Sequence, residues 1–207
     1  MAGSFTVGLG IVILDVGSTK ILRTNFLGSQ ELFENIFSKL EHITSQPNKL
    51  PDFIKNGSCS FHNVEEDGKK LYEWEEFKDF IPFLKKHVRD YLDSISVPEA
   101  DVSIAGMWAN RYPPGTYVFK HNHNNMSVDK RLIIGALFYI HMEENAGNLV
   151  IDIPQFGEYN VKMSQGDVVI FQSSLDHWTT PNKSNNDKYV IGLELVVGVD
   201  GKQLDEI

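Results

Sequence analysis

The segment Tyr112-Pro113-Pro114-Gly115-Thr116-Tyr117-Val118-Phe119-Lys120-His121-Asn122-His123 decides how the rest of the chain is read. From Tyr117 it alternates, with Tyr117, Phe119, His121 and His123 on one parity. On a β-strand, residues i and i+2 point to the same face, roughly 6–7 Å apart at Cα. The spacing therefore sets two imidazoles side by side, able to grip one metal ion once a third ligand arrives from elsewhere. His177 is the candidate third ligand. It follows the apolar run Val168-Val169-Ile170-Phe171 and lies just past that strand's end, in Ser173-Ser174-Leu175-Asp176-His177-Trp178.

The strands on either side build the frame. Short strands are expected near 102–111, 116–122, 132–141, 148–153, 158–162, 167–171 and 188–197. Leu132 to His141 is apolar on both parities and reads as a central strand covered on both faces. Many short strands with Gly-rich turns indicate a mainly β sandwich or barrel, and a double-sheet jelly roll is the natural candidate.

The first hundred residues read as support. Phe5 to Leu14 is rich in β-branched residues and reads as one strand, with a short strand to follow at 20–24. Ser29 is placed to cap a helix over 30–44, with Leu32, Phe33, Ile36, Phe37, Leu40 and Ile43 on one stripe. Residues 46–70 read as loop, with a short hairpin near Ser58–Phe61. A second helix is expected over 74–95, burying Phe77, Ile81, Leu84, Val88, Tyr91, Leu92 and Ile95 and closed by Pro98. Pro82 fits it if it lies in the first turn. His42 and His87 read as helix-surface residues, His62 as a loop residue and His141 as structural. Both helices are expected on the outer face of one sheet. The chain reads as a single domain over 1–207: an N-terminal strand and two supporting helices over 1–100, then the jelly-roll core over 101–200.

Composition narrows the function. With 207 residues, 42% apolar and 23% charged, the chain suits one globular domain with a real core. A net charge of −9 without a clustered basic face argues against a nucleic-acid partner. The single Cys59 excludes an internal disulfide and a Cys-based zinc site, and fits a reducing compartment. No apolar run reaches membrane-span length, and the first residues lack the basic start of a signal peptide. A cytoplasmic protein with no membrane partner is the expectation.

Four blocks of the second half resemble, in order, the iron(II)- and 2-oxoglutarate-dependent dioxygenases, most closely the prolyl 4-hydroxylase-like branch. Tyr112 to His123 is similar to that family's Tyr…Gly…His-x-Asp segment. Leu137-Phe138-Tyr139-Ile140, followed by an acidic turn and Gly147-Asn148-Leu149, resembles its central Tyr-containing strand. Val161 to Phe171, with Gly166-Asp167, resembles its Gly-Asp hairpin, and His177-Trp178-Thr179-Thr180-Pro181 with Lys188-Tyr189 resembles its distal His and basic residue. The resemblance runs from about Trp108 to Val197. It implies a double-stranded β-helix that uses dioxygen to couple oxidative decarboxylation of 2-oxoglutarate to oxidation of a substrate, with a hydroxylase of a small molecule or peptide as the expectation. Ascorbate is the candidate reductant. His121 and His177 map onto the family's His ligands to Fe(II). Lys188 maps onto the residue that pairs the distal carboxylate of 2-oxoglutarate. Most relatives have Arg there, and Lys acts as a point charge without the bidentate fork. Tyr139 and Tyr112 map onto hydroxyls that contact the cosubstrate, although a core role suits Tyr139 equally.

His123 departs from the pattern, because the family usually has Asp or Glu there. An imidazole can ligate iron but removes a negative charge from the metal. Three ligand readings stay open: three His on iron, three His on zinc, or a carboxylate from Asp129 or Asp176 in place of His123. Asn122, Trp178 and Glu194 are candidate substrate contacts, with Glu194 alternatively paired to Lys188 or water on their shared strand face. Two other functions compete. One is a non-catalytic jelly-roll binding module. The other is a three-His, cupin-like enzyme that does not use 2-oxoglutarate.

Overall fold

A computed structural model describes residues 4–8, 11–16, 19–45, 54–55, 57–60, 70–97, 100–123 and 132–198. His62, Pro98, Asp129 and most of the loops at 46–70 and 124–131 fall outside these residues.

An eight-stranded sheet is the backbone of the molecule. Its strands are β1 (Ser4–Gly8), β2 (Ile11–Val16), β3 (Thr19–Asn25), β5 (Ser58–Cys59), β6 (Val102–Tyr112), β8 (Leu132–His141), β11 (Asp167–Gln172) and β13 (Lys188–Val197). They run in the order β1-β2-β3-β11-β8-β13-β6-β5, and every pairing is antiparallel. A three-stranded sheet, β10-β9-β12, is made of β9 (Leu149–Ile153), β10 (Gly157–Val161) and β12 (His177–Thr179). A two-stranded piece pairs β4 (Ile54–Lys55) with β7 (Tyr117–Val118).

Residue parity sorts the large sheet into two faces. Ile134, Ala136, Phe138 and Ile140 of β8, Val168 and Ile170 of β11, and Ile191, Leu193 and Leu195 of β13 join one apolar cluster. The helices α1 (Gln30–Ser45) and α2 (Phe80–Ser94) supply its other half through Phe33, Ile36, Leu40, Phe80, Leu84 and Val88. Phe80 stacks on Phe138 at 4.2 Å between ring centroids. Burying each such side chain contributes about 1.5–3 kcal/mol. The opposite parity, with Tyr112, Tyr139, Val169, Phe171 and Val190, packs against Leu149, Ile151, Ile153 and Val161 of the small sheet. The result is two facing antiparallel sheets, a mainly β jelly roll with two helices on the outside of one sheet, as the alternation predicts. β8 is apolar on both parities because it has the helices on one side and the small sheet on the other.

Several expected elements take a different form. Residues 5–14 form two strands rather than one, β1 and β2 pairing as a hairpin with Gly8 opposite Ile11. With β3 they extend the large sheet through β11, so the N-terminal half supplies strands as well as helices. The hairpin near Ser58–Phe61 is replaced by long-range pairing: β5 adds to the edge of β6, with Ser58 opposite Arg111 and Cys59 opposite Asn110. The second helix starts at Phe80, after two short 3-10 turns over Leu71–Glu73 and Glu75–Phe77. Pro82 sets this boundary. It is the third helical residue, where a missing N–H costs nothing, whereas a helix from residue 74 would put it in the interior. His87 is buried rather than on the surface; its Nδ1 is 2.8 Å from Phe83 O and its ring 4.1 Å from that of Phe83. Ser29 caps α1 as expected, accepting from Leu32 N at 3.1 Å.

Candidate metal and cosubstrate site

The opening segment reaches the site through a turn and a break. Thr116 N donates to Pro113 O at 3.0 Å, and Gly115 has φ +81°, the type II conformation that Pro followed by Gly favours. β7 then lasts only for Tyr117 and Val118 instead of running to 122. Phe119 turns outward, 45% exposed, despite sharing parity with the two His residues. The chain stays aligned because other groups take over the pairing. His121 N donates to His177 O at 3.0 Å, His177 N to His121 O at 2.8 Å, and His123 N to Ser173 O at 3.0 Å.

These bonds bring three imidazoles together. His121, His123 and His177 each offer one potential ligand atom, and those atoms lie within 4.8 Å of one another. Ring centroids are 4.3 Å apart for His121 and His177, 5.2 Å for His121 and His123, and 5.3 Å for His123 and His177. Each ring has Nδ1 against a protein oxygen: His121 against Phe119 O at 2.8 Å, His177 against Leu175 O at 2.8 Å, and His123 against the Glu194 carboxylate. An Nδ1–H donated to an acceptor leaves Nε2 with the lone pair, the tautomer a metal needs. The Nε2 of His123 is buried and has no hydrogen-bond partner. Burial, with His121 beside it, holds His177 down to a pKa of about 3, so its ring is neutral. Burial also lowers the His121 pKa. A nitrogen-only set of imidazoles with a buried nitrogen left without a partner fits a divalent iron or zinc ion.

Asp176, the other candidate ligand in the described chain, is not one of this cluster. It accepts from Asn122 Nδ2 at 2.6 Å and lies 3.7 Å from Lys120 Nζ. Asn122 is itself exposed, and Lys120 also pairs with Asp152. Trp178, on β12, is half-buried beneath the Lys120 ammonium at 5.2 Å.

Lys188 begins β13 directly opposite Tyr112 on β6. It is 1% exposed, its Nζ is 5.0 Å from the centre of the Tyr112 ring, and it donates to Gly147 O at 3.5 Å. No ion pair to Lys188 is found among the described residues, and burial pulls its pKa down to about 8. An ammonium so placed is a receptor for an anion, because a buried charge without a counterion is unfavourable. Tyr112 and Tyr139 lie on the same inner face, and burial raises both their pKa values, so both hydroxyls stay protonated. Glu194 is six residues along the same strand from Lys188, 2% exposed, and held by His123.

Trp108, Asn110 and Tyr112 alternate along β6 on the inner face, opposite Gly192, Val190 and Lys188. Asn110 is buried with its Oδ1 unsatisfied, and Ser173 is buried with its Oγ unsatisfied. Sequence reasoning singled out neither. The signal was present for Asn110, as a polar residue on the inner parity of a strand whose neighbours already pointed at the site. Trp108 lies across Gly192, where an added Cβ would meet the indole at 2.5 Å, and its ring centroid is 6.3 Å from that of His123.

No family model matches the chain, and no curated protein matches it significantly by sequence. Solved structures match it across most of its length. A prolyl-4-hydroxylase from Pseudomonas putida superposes with a TM-score of 0.64 at 12% identity, covering 87% of this chain and 93% of that one. HygX from Streptomyces hygroscopicus, with nickel and 2-oxoglutarate bound, gives 0.61 at 11% identity, covering 86% and 83%. A viral collagen prolyl hydroxylase from Paramecium bursaria Chlorella virus-1, in complex with 2-oxoglutarate, gives 0.56 at 14% identity, covering 86% and 96%. The fold is therefore that of the prolyl 4-hydroxylases and other 2-oxoglutarate and Fe(II) oxygenases.

Proposed function

We propose that this protein is a non-haem iron(II)- and 2-oxoglutarate-dependent oxygenase, a hydroxylase whose substrate is a small molecule or peptide. The observation that carries the reading is the pairing of two unusual features inside one sandwich. A cluster of neutral imidazoles lies on one side of the inner face, and a buried ammonium with no described counterion lies farther along it. A dicarboxylate that chelates metal at one end and needs a cation at the other matches both.

His121, His123 and His177 would hold the iron through Nε2. Lys188 would neutralise the distal carboxylate of 2-oxoglutarate, with Tyr112 and Tyr139 as hydroxyl donors beside it. With both bound and dioxygen as the oxidant, the site would supply hydroxylation of a substrate C–H bond, one oxygen atom of the dioxygen going to the substrate and the other to the succinate that 2-oxoglutarate yields with carbon dioxide. Trp108, Phe171 and Val190 wall the inner face with apolar surface and limit water there. Three neutral imidazoles on ferrous iron leave a net charge of +2, one more than two His and a carboxylate.

The test is succinate formation and oxygen uptake by metal-free protein given ferrous iron and 2-oxoglutarate. The anaerobic complex should also develop a visible metal-to-ligand absorption. Metal binding without that band and without succinate favours the three-His enzyme that does not use 2-oxoglutarate. No stoichiometric metal favours a binding module. Zinc in place of iron binds but gives no band.

A further inference from the structure

We infer that Glu194 is a positioning residue for the metal, returning through His123 the carboxylate that the ligand set itself lacks. The inference rests on the metal-site reading above.

Glu194 lies in β13, 2% exposed, with its side chain 3% exposed. A buried carboxylate without a partner is strongly unfavourable, so the position needs a specific reason. Its described partner is His123 Nδ1, reached across 71 positions of sequence. The strand register explains the meeting. β13 carries Lys188, Val190, Gly192 and Glu194 on the inner face, and at Glu194 the partner residues are Gly106 on β6 and Gly135 on β8. Both neighbours are glycines, so neither directly opposed residue puts a side chain beside the carboxylate; the Trp108 ring lies over Gly106 and Ser173 Oγ over Gly135. His123 arrives there from the far side, anchored by its N–H to Ser173 O.

The contact has two consequences. A carboxylate accepts only, so it selects the tautomer with the proton on Nδ1 and the lone pair on Nε2. That Nε2 is buried and without a partner, aimed into the cluster with His121 and His177. The second consequence is charge. His121 and His177 rest on neutral carbonyl oxygens, of Phe119 and Leu175, and only His123 rests on an anion. A carboxylate behind a ligating imidazole makes that ring a stronger donor and typically changes metal affinity about 10–100-fold. The set is then equivalent in charge to two imidazoles and a carboxylate, with the carboxylate moved one ring outward.

The experiment is a double-mutant cycle read by calorimetric titration of Co2+ and Zn2+ into metal-free full-length protein. Its variants are Glu194→Gln, His123→Asp and the two combined. Glu194→Gln keeps the shape and an acceptor oxygen but removes the charge. It should weaken metal binding about tenfold or more in the wild-type background. In the His123→Asp background no imidazole is left for Glu194 to act through, so Glu194→Gln should there change affinity by much less than in wild type. A residue that merely fills space or adds diffuse charge gives the same loss in both backgrounds. The tautomer gives a second readout that needs no metal. Two-bond 1H–15N spectra of wild type should show His123 protonated on Nδ1, and Glu194→Ala should lose that preference. Equal affinity for wild type and Glu194→Gln, or the same loss in both backgrounds, overturns the inference while leaving the metal site standing. Failure of wild type to bind either ion overturns both.

Discussion

His121 and His177 exchange both main-chain hydrogen bonds, at 3.0 and 2.8 Å, in a bridge that extends into no longer ladder between their segments. Two candidate ligands are thus fixed to each other by backbone before any metal arrives. Each Nδ1 is also held by a carbonyl oxygen two residues earlier in the chain, Phe119 or Leu175. The rings have little freedom left to lose on binding, and an organised site binds more tightly than one that must assemble.

The first prediction concerns those ligands. His121→Ala and His177→Ala should each lower affinity for Co2+ by more than about 100-fold, a larger loss than outer-shell changes cause. The main-chain bridge survives either change, because it uses no side-chain atom. Circular dichroism should stay that of wild type, and calorimetric titration reads the affinity. Wild-type affinity in either variant would remove that residue from the site.

Lys188 is expected to govern 2-oxoglutarate. Lys188→Met keeps most of the buried stem and deletes the charge. With zinc bound, affinity for 2-oxoglutarate should fall about tenfold or more, the scale of a lost charge-assisted contact. Metal affinity should be nearly unchanged. An unaltered dissociation constant for 2-oxoglutarate would place its distal carboxylate elsewhere.

The same residue has a pH signature. Burial lowers its pKa from the usual 10.5 to about 8. Between those values the unfolded chain holds a proton that the folded chain has released, so stability of the ligand-free protein rises with pH across that window. Below about pH 8 the full cost of the buried ammonium is present, on the order of 3 kcal/mol. Lys188→Met should therefore be more stable than wild type at pH 7, with the gap narrowing toward pH 10.5. Urea unfolding at several pH values measures it, and a gap independent of pH would mean the ammonium has a counterion.

Gly192 should tolerate no side chain. A Cβ there would come 2.5 Å from Trp108 Cε2 and 2.7 Å from Nε1, with the ring flat against the strand. Gly192→Ala forces the indole aside, at about 1–3 kcal/mol of stability. It should also weaken metal binding, because Trp108 neighbours His123. Gly106→Ala is the control. Its Cβ would meet the same ring at an ordinary 3.5 Å, so it should change stability by only a few tenths of a kcal/mol.

Much of the frame could be read from local pattern. Alternation along residues 132–141 and 188–197 marked the central strands, and Ser29 marked the start of the first helix, whereas the second begins six residues later than expected, at Phe80. Where the reading slipped, competition between local and distant partners was the cause. Residues 58–59 have enough β character for a hairpin, yet the edge of β6 offered them a longer ladder. Residues 119–123 alternate like a strand, yet His121 and His123 find their main-chain partners at His177 and Ser173, and β7 stops short.

The sequence by itself supplied three candidate imidazoles, and it determined the shared parity of Lys188 and Glu194 and the jelly-roll frame, because side-chain direction on a strand follows from counting by two. It could not determine who meets whom across strands. That depends on register, and β13 shifts register at Tyr189/Val190 against β8 and at Glu194/Leu195 against β6. Only the tertiary structure therefore turned Glu194 from a residue on the same face as Lys188 into the partner of His123. It did so because pairing between strands is set by the sum of many main-chain bonds, not by any one side chain.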